Sequence, residues 1–181
     1  MKCFSRLFSL LALTALAGCS PPPEANVQLV DVVLHNSSYE IRIDSDVDFL
    51  SLYKDSRWHS LTSQGIICSL EAEPDFGTDH DLINPVHGLV EFVGERMEGS
   101  RKVYRFSSRL IFYAHSGSTP AVQQILGPTE IRKLLASAPA LTCKVRILMY
   151  FTPRYFTRAF KIPTDHLQQL AQNWNANRDV P

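Results

Sequence analysis

The sequence predicts an α+β domain, in which a mostly antiparallel sheet of six or seven strands is accompanied by two short helices in the C-terminal half. Short runs of alternating apolar and polar residues, separated by turn residues, indicate half-buried strands. Apolar residues recur with helical spacing in two segments, which follow residues 128 and 163. Because no internal repeat is present, we predict one globular domain over residues 27–175.

The first part of this domain is predicted to consist of strands and loops. Its segments are rich in β-branched residues and are interrupted by Asn, Ser, Gly and Pro, which favour turns. The predicted elements are a hairpin of Val27–His35 with Tyr39–Ile43, a short apolar segment Phe49–Tyr53 that is either a strand or one helical turn, a strand Gly65–Ala72 and a polar loop Asp75–His87.

The second part is predicted to hold two more hairpins and both helices. Leu89–Val93 pairs with Lys102–His115 around Glu98-Gly99-Ser100, and Leu141–Phe151 pairs with Tyr155–Ile162. One helix covers Thr129–Ser137 and begins near Pro128. The other opens at Pro163-Thr164-Asp165, with Thr164 as a candidate N-cap, and residues 176–181 are predicted to be a flexible tail.

The first nineteen residues form a motif of their own. Two basic residues, Lys2 and Arg6, precede an apolar run from Leu7 to Ala17 that is too short to span a membrane. The run ends in Leu16-Ala17-Gly18-Cys19, which resembles the lipobox of bacterial lipoproteins. This resemblance implies that residues 1–18 are a cleaved signal peptide and that Cys19 carries lipid on its thiol and its amine.

The resemblance also implies an address. Acyl chains on Cys19 would hold the protein on a membrane without a spanning helix. Ser20 follows the cysteine where Asp would favour retention in the inner membrane, so the expected location is the periplasmic face of the outer membrane. Residues 19–26, which include Pro21, Pro22 and Pro23, are predicted to be a stiff tether of roughly 20 Å.

Two cysteines remain in the predicted domain, Cys68 and Cys143, and each lies in a strand-like run. An oxidising compartment favours a disulfide between them. The alternative is a pair of buried free thiols, and neither cysteine lies in the spacing of a metal site.

Charge is divided unevenly along the chain. Residues 19–100 carry 15 acidic and 4 basic side chains, whereas residues 101–161 carry 11 basic and one acidic. In one interpretation the acidic strands pair with basic ones inside the fold. In the other, a basic and aromatic face binds a partner, and strand alternation assigns to it Arg105, Arg109, Tyr113, Lys144, Arg146 and Tyr150. A covering helix could equally bury the aromatic residues of that face.

An acidic loop forms the counterpart of this face: Glu71, Glu73, Asp75, Asp79 and Asp81. Its spacing lacks the order of a calcium-binding loop, so we expect either a solvated loop or a second, weaker partner-binding site. No metal and no cofactor are expected.

The sequence contains no motif that predicts catalysis. Six histidines occur without HExxH spacing, no serine lies in a GxSxG elbow, and no glycine-rich phosphate loop is present. We therefore predict a protein that is not an enzyme.

The leading hypothesis is a membrane-anchored periplasmic lipoprotein that binds a protein, as an immunity or inhibitor protein against a toxin or hydrolase acting in the envelope. The alternatives are an accessory lipoprotein of a secretion or assembly complex, and a binder of lipid or cell-wall ligands. Its predicted partners are membrane lipid, through acylated Cys19, and an envelope protein; the address excludes nucleic acid.

Overall fold

The computed structural model describes residues 23–35, 38–52, 61–77, 82, 85–115, 123–149 and 154–178. These residues form a single sheet-rich α+β domain with nine strands and two helices. The strands are β1 Val27–His35, β2 Ser38–Ser45, β3 Leu61–Ser69, β4 Val86–Glu98, β5 Arg101–His115, β6 Gln123–Ile125, β7 Ala140–Met149, β8 Tyr155–Phe156 and β9 Phe160–Pro163. The helices are α1 Pro128–Leu135 and α2 Thr164–Arg178.

The sheet is antiparallel at every strand pairing of the described residues, as predicted. Its main order is β1-β2-β5-β4-β3-β7-β8, with β6 paired to β5 and β9 paired to β7. The two ends of this order meet, because the Arg158 amide donates to the Ala25 carbonyl at 3.0 Å and the Ala25 amide donates to the Tyr155 hydroxyl at 3.0 Å. The sheet therefore curls until its first and last strands are in contact.

The concave side of the curled sheet, which we call the inner face, holds the core. Alternation places Tyr39, Ile41 and Ile43 of β2 on this face, where all three are buried. Phe106 of β5 is fully buried and stacks on Phe49, with ring centroids 4.1 Å apart. These inward residues belong to one continuous apolar cluster.

The two helices pack against this core. Leu135 of α1 and Leu167 of α2 are fully buried in the apolar cluster. The Tyr39 hydroxyl donates to the Leu167 carbonyl at 3.0 Å, and the Gln168 side chain donates to the Leu135 carbonyl at 3.1 Å. The predicted N-cap hydroxyl of Thr164 instead donates to the Ala138 carbonyl, so it connects α2 to the start of β7.

Two glycines shape the β4–β5 hairpin. Gly99 has φ of +61°, which L-residues with side chains rarely adopt, and it lies in the turn predicted at Glu98-Gly99-Ser100. At Gly88 a Cβ atom would lie 2.5 Å from the Arg109 carbonyl oxygen, so only glycine permits β4 and β5 to approach this closely.

The predicted number of strands, six or seven, is lower than the nine strands of the structure for two reasons. The segment predicted as one strand, Tyr155–Ile162, is divided into β8 and β9. Between these two strands, the Thr157 amide donates to the Val145 carbonyl and the Thr157 hydroxyl accepts from the Val145 amide. In addition, β6 was not predicted, because its three residues are too few to show a period. Of the predicted segment Phe49–Tyr53, the described residues form a turn.

Helix α2 continues to Arg178, so it includes residues 176–178 of the segment predicted as a flexible tail.

Candidate interaction surfaces

The convex side of the sheet, which we call the outer face, carries five of the six residues predicted for partner binding. Because Phe106, Leu110 and Phe112 point inward, Arg105, Arg109 and Tyr113 of β5 point outward. The same alternation on β7 places Lys144 and Arg146 outward. The sixth predicted residue, Tyr150, lies outside the described residues, as do Asp79 and Asp81 of the acidic loop and the predicted lipidation site Cys19.

Arg105 forms an ion pair with Asp44 of the neighbouring strand β2. Its Nε lies 2.8 Å from Oδ1 of Asp44, and a second guanidinium nitrogen lies 3.0 Å from Oδ2. Arg96 reaches the same carboxylate at 2.9 Å. These hydrogen bonds, chiefly that from Arg105, hold the pKa of Asp44 below its usual value although burial opposes them, and the bond with Asp44 raises the pKa of Arg105. Arg105 thus follows the internal-pairing interpretation of the charge division.

Asp44→Asn is expected to lower the free energy of unfolding at pH 7 by about 2 kcal/mol, because two guanidinium groups lose their charged acceptor. The pKa of Asp44 is lower in the folded than in the unfolded protein, so its contribution is complete above pH 4 to 5 and is lost as the pH falls further. The variant should therefore lose stability less steeply on acidification than the wild type. Urea denaturation from pH 2.5 to 7 measures both effects.

Glu73→Gln is the control for this experiment, because Glu73 is exposed and forms no ion pair with any described residue. It should retain the acid slope of the wild type. Identical slopes for wild type and Asp44→Asn would contradict the assignment of acid sensitivity to Asp44.

Arg109 and Arg146 lie in one row across the outer face. The register that pairs Val90 with Ser108 places Leu89 beside Arg109, and Gly65 pairs with both Leu89 and Arg146. Three strand spacings separate the two arginines, about 14 Å at their Cα atoms. Gly65 has no side chain and Leu89 is 61% exposed, so the surface between the two arginines is apolar and carries no charge.

Basic residues gather at the β7 end of this face. Lys144 and Arg146 are half-buried on β7, whereas Arg154 beside β8 and Lys161 on β9 are exposed; we call these four residues the cationic cluster. Burial, and then the nearby charge of Arg154, lower the pKa of Arg146. Lys144 Nζ lies 5.9 Å from the centroid of the Phe156 ring. Among the described residues, no carboxylate lies within salt-bridge distance of Lys144, Arg146 or Lys161.

Tyr113 occupies a different part of the outer face. Its ring contacts His87 edge to face, with centroids 5.7 Å apart. Burial lowers the pKa of His87, and the charge of Arg146 lowers it further, so this imidazole is favoured in its neutral form. Both residues are half-buried. His87 was not singled out from the sequence, because its contact with Tyr113 and its closeness to Arg146 depend on other strands.

The described part of the acidic loop lies next to the cationic cluster. Phe76 lies 5.7 Å below Lys144 Nζ, measured to its ring centroid. Asp75 accepts a hydrogen bond from the Gly77 amide at 2.7 Å, and the Glu71 amide donates to the Ser69 hydroxyl at 3.1 Å. The carboxylates of Glu73 and Asp75 are exposed, which is typical of a solvated loop.

The segment predicted as a tether is partly fastened to the domain. The Tyr155 hydroxyl donates to the Pro23 carbonyl at 2.9 Å, and Ala25 is fully buried. Arg158 lies 3.6 Å from the Glu24 carboxylate and donates to the Asn26 side chain at 2.8 Å. The chain is therefore attached to the domain from residue 23, and residues 20–22 separate Cys19 from the first attached residue.

Cys68 and Cys143 form the predicted disulfide. They are directly opposite each other on β3 and β7, and both are fully buried on the inner face. Register explains the pairing, since a cross-strand partner on the same face is the nearest possible neighbour. The alternative of two free thiols is therefore wrong.

A polar cleft of about 190 Å³ lies where β1 and β2 approach the β4–β5 hairpin. Its charged groups largely bond to one another: Arg96 contacts Asp44 and Glu98, and Asp46 accepts from the Asn26 amide at 2.8 Å. Among the described residues, no three His, Cys, Asp or Glu side chains are grouped closely enough to hold a metal ion.

The largest group of exposed apolar side chains lies on β4 and was not predicted from the sequence. Six large hydrophobic side chains of the described residues are exposed, and four of them belong to β4: Leu89, Phe92, Val93 and Met97, with exposed fractions of 49–61%. We call these four residues the β4 apolar stretch. From Glu91 to Glu98 this strand pairs with β5 but with no other strand of the described residues, which leaves its second edge open there. The signal was present in Leu89-Val90 and Phe92-Val93, where apolar residues occupy both faces of a strand.

Comparison with known proteins yields no match for this chain: no family model, no curated protein and no solved structure resembles it significantly. Within the described residues, no helix has the length and apolar character needed to cross a membrane.

Proposed function

We propose that this protein is a lipid-anchored periplasmic protein-binding module, and that its partner is a toxin or hydrolase that acts in the bacterial envelope and that it inhibits. The anchor is the acylated Cys19 of the lipobox-like motif, on the periplasmic face of the outer membrane. The observation that carries the binding role is the β4 apolar stretch. Leu89 and Val93 of this stretch lie on the outer face of the β4–β5 hairpin, and Phe92 and Met97 lie on its inner face. Exposed apolar side chains on both faces of an open-edged strand are typical of segments that become buried against another protein.

Geometry supports a protein rather than a small molecule as the partner. The β4 apolar stretch lies along an extended strand, whereas small-molecule sites are concave and enclose their ligand. The open edge of β4 also offers backbone amides and carbonyls that a partner strand could pair with. Charged residues beside the stretch, such as Glu95 and Lys102, form the kind of polar rim that surrounds an apolar contact.

The double variant Val93→Asp/Met97→Asp should bind its partner at least about tenfold more weakly, because it places an unpaired carboxylate on each face of the strand that the partner covers. Both side chains are more than half exposed, so the fold should remain. The measurement is affinity purification from the envelope with the lipidated full chain, followed by titration of the captured protein. The control is Ile125→Asp on β6, where Ile125 is 63% exposed, close to the 61% of Met97.

A single secreted effector that is captured by wild type and Ile125→Asp, but lost with the double variant, is the expected result. Capture of a multi-subunit envelope complex would replace the inhibitor role with an assembly role. In co-culture with the parent strain, a deletion strain should be killed and should be rescued by the wild-type gene. Normal growth of that deletion strain would contradict the protective role.

A further inference from the structure

We propose that the open edge of β4 pairs with β4 of a second copy of this chain, in an antiparallel two-fold arrangement over residues 91–96. The pairing covers the strand that the proposed function assigns to the inhibited partner. The regulatory part of this inference therefore rests on the proposed function: the dimer covers the site, and it must open before that partner binds. The pairing itself does not depend on the identity of the partner.

The first step is the direction of the backbone groups along β4. The Val90 carbonyl accepts from the Gln64 side chain of β3 at 3.0 Å, so it points away from β5, the neighbour on the other side. The amide and carbonyl of one residue in a strand point to the same side, and successive residues alternate. Those of Phe92 therefore face the open edge, where β4 pairs with no other strand of the described residues.

The second step is a β-bulge in the middle of this edge. Val93 is an extra residue, since the pairing with β5 skips it between Phe92 and Gly94. Phe92 and Glu95 are opposite residues that are two apart on β5, so both direct their amide and carbonyl to the open edge. Two residues, Val93 and Gly94, thus lie between neighbouring edge positions where a regular strand has one. A regular partner strand would lose its register at this point.

The third step is that a second copy matches the bulge with its own. When Phe92 is opposite Glu95 of the other copy, the two bulges face each other, and each opposed pair from 91 to 96 shares a face of the sheet. The edge-facing groups of Phe92 then meet those of Glu95, as in the hydrogen-bonded pairs of an antiparallel ladder. A shift of one residue in either direction would place the outward Glu91 opposite an inward side chain, Glu95 or Met97.

The fourth step is charge, which favours the same register. It places Glu91 of each copy opposite Arg96 of the other on the outer face, and opposite charges across a strand pair are stabilising. Glu91 is exposed and lies within salt-bridge distance of no basic group that the structure describes. Its diagonal neighbour on β5, Arg109, is exposed as well.

Arg96 can make this contact because neither of its present partners depends on it alone. It contacts the carboxylates of Asp44 and Glu98. Asp44 also accepts two hydrogen bonds from Arg105, and Glu98 also lies 4.0 Å from Arg101. The Arg96 side chain is 43% exposed, so it can turn to the second copy without leaving a carboxylate unpaired.

The fifth step is the packing of the opposed side chains. Val93 is 54% exposed and is opposite Gly94 of the other copy, where a Cβ atom would meet no described atom within 4 Å, so the larger side chain has room. Phe92 lies beside the aliphatic part of Glu95, whose carboxylate is held by Lys102 at 2.9 Å. The pairing ends at Val90, whose carbonyl is already bound by β3. Such a short interface fits a weak dimer that a stronger partner opens.

Cross-linking of the complete chain in the envelope tests the register. Glu91→Cys and Arg96→Cys, produced together with a size tag on one of them, should form a disulfide-linked dimer of one variant with the other, because opposed Cα atoms lie about 4.5 to 5.5 Å apart. Neither variant alone should form a dimer, since the two copies of residue 91 are about 15 Å apart. In the mixed dimer, the second Glu91–Arg96 pair remains intact.

Glu98→Cys in place of Arg96→Cys is the matched control, because the two side chains are similarly exposed, 47% and 43%. Residue 98 is two positions out of the proposed register, beyond the reach of a disulfide. Cross-linking with Glu98→Cys that equals that with Arg96→Cys would overturn the register, and so would the absence of a dimer between Glu91→Cys and Arg96→Cys.

Sedimentation equilibrium of the mature chain with Cys19→Ser tests the backbone pairing. Glu95→Pro removes an amide that faces the open edge and leaves the β4–β5 hydrogen bonds in place, whereas Glu95→Ala loses the same carboxylate but keeps the amide. We expect the proline variant to dimerise on the order of 30-fold more weakly than the alanine variant, because two hydrogen bonds are lost in a two-fold dimer. Equal dimerisation of the two variants, or a parent protein that stays monomeric, would overturn the pairing.

The regulatory part has its own readout. The cross-linked dimer of Glu91→Cys with Arg96→Cys should not capture the envelope effector, and the same sample should capture it after reduction. Equal capture before and after reduction would overturn the covering of the site. A cross-linked dimer that captures no effector in either state would contradict the proposed function, whereas the pairing of the two copies would be supported.

Discussion

Phe106→Ala is expected to lower the free energy of unfolding by about 3 to 5 kcal/mol, which is a large part of the stability of a domain of this size. Phe106 is fully buried on the inner face, stacked on Phe49 and in edge contact with Phe92 at 5.7 Å between ring centroids. Its removal would leave a cavity between β5 and the turn that carries Phe49. Urea denaturation followed by far-UV circular dichroism measures the change.

Leu89→Ala on the neighbouring strand is the control for this variant. Leu89 points to the outer face and is 61% exposed, so its truncation should change the free energy of unfolding by less than about 0.5 kcal/mol. A similar loss for the two variants would contradict the assignment of the inner face as the core.

The comparison of β2 with β5 shows how far the sequence predicts this fold. The period of two in Tyr39-Glu40-Ile41-Arg42-Ile43 is a local signal, and it correctly predicts a strand and its buried side. The neighbour of that strand is β5, which is more than 60 residues away for Asp44 and Arg105. No local pattern records such a pairing, so alternation could place Arg105 outside but could not find its carboxylate.

The β4 apolar stretch shows the opposite limitation. Apolar residues on both faces of Leu89–Val93 are equally typical of a strand that is buried on both sides. Only the end of the β3–β4 pairing at Leu89 leaves the second edge of β4 open among the described strands and its side chains exposed. The strand was therefore predictable from its sequence, whereas its exposure depends on where its pairing with β3 ends.

The tether illustrates a third case. Its prolines predict a stiff extended segment, but proline content does not tell where such a segment first touches the domain. The Tyr155 hydroxyl, 132 residues from Pro23, decides this by binding the Pro23 carbonyl. As a result the predicted reach of roughly 20 Å shortens to about 12 Å, which is four residue steps from Cys19 to Pro23 at the rise of a polyproline II helix.

Replacement of both disulfide cysteines, as Cys68→Ala/Cys143→Ala, is expected to lower the free energy of unfolding by about 4 kcal/mol. The bond closes a loop of 75 residues, and the entropy that it removes from the unfolded chain gives this value in the loop-closure model. Both side chains are fully buried between β3 and β7, so the truncation also removes core contacts. The antiparallel pairing of the two strands continues on both sides of the bond, from Leu61 to Ser69, and this should preserve the native fold in the variant.

Reduction separates the bond from the packing, because it opens the loop but leaves both sulfur atoms in place. Denaturation of the wild type in a strong reductant should therefore shift most of the way toward the double variant, while the double variant itself should not respond to reductant. A wild-type protein whose unfolding is unchanged after complete reduction, verified by thiol titration of the denatured chain, would contradict the expected role of the bond. The stability of this domain in an oxidising compartment would then depend on its core and its strand pairing alone.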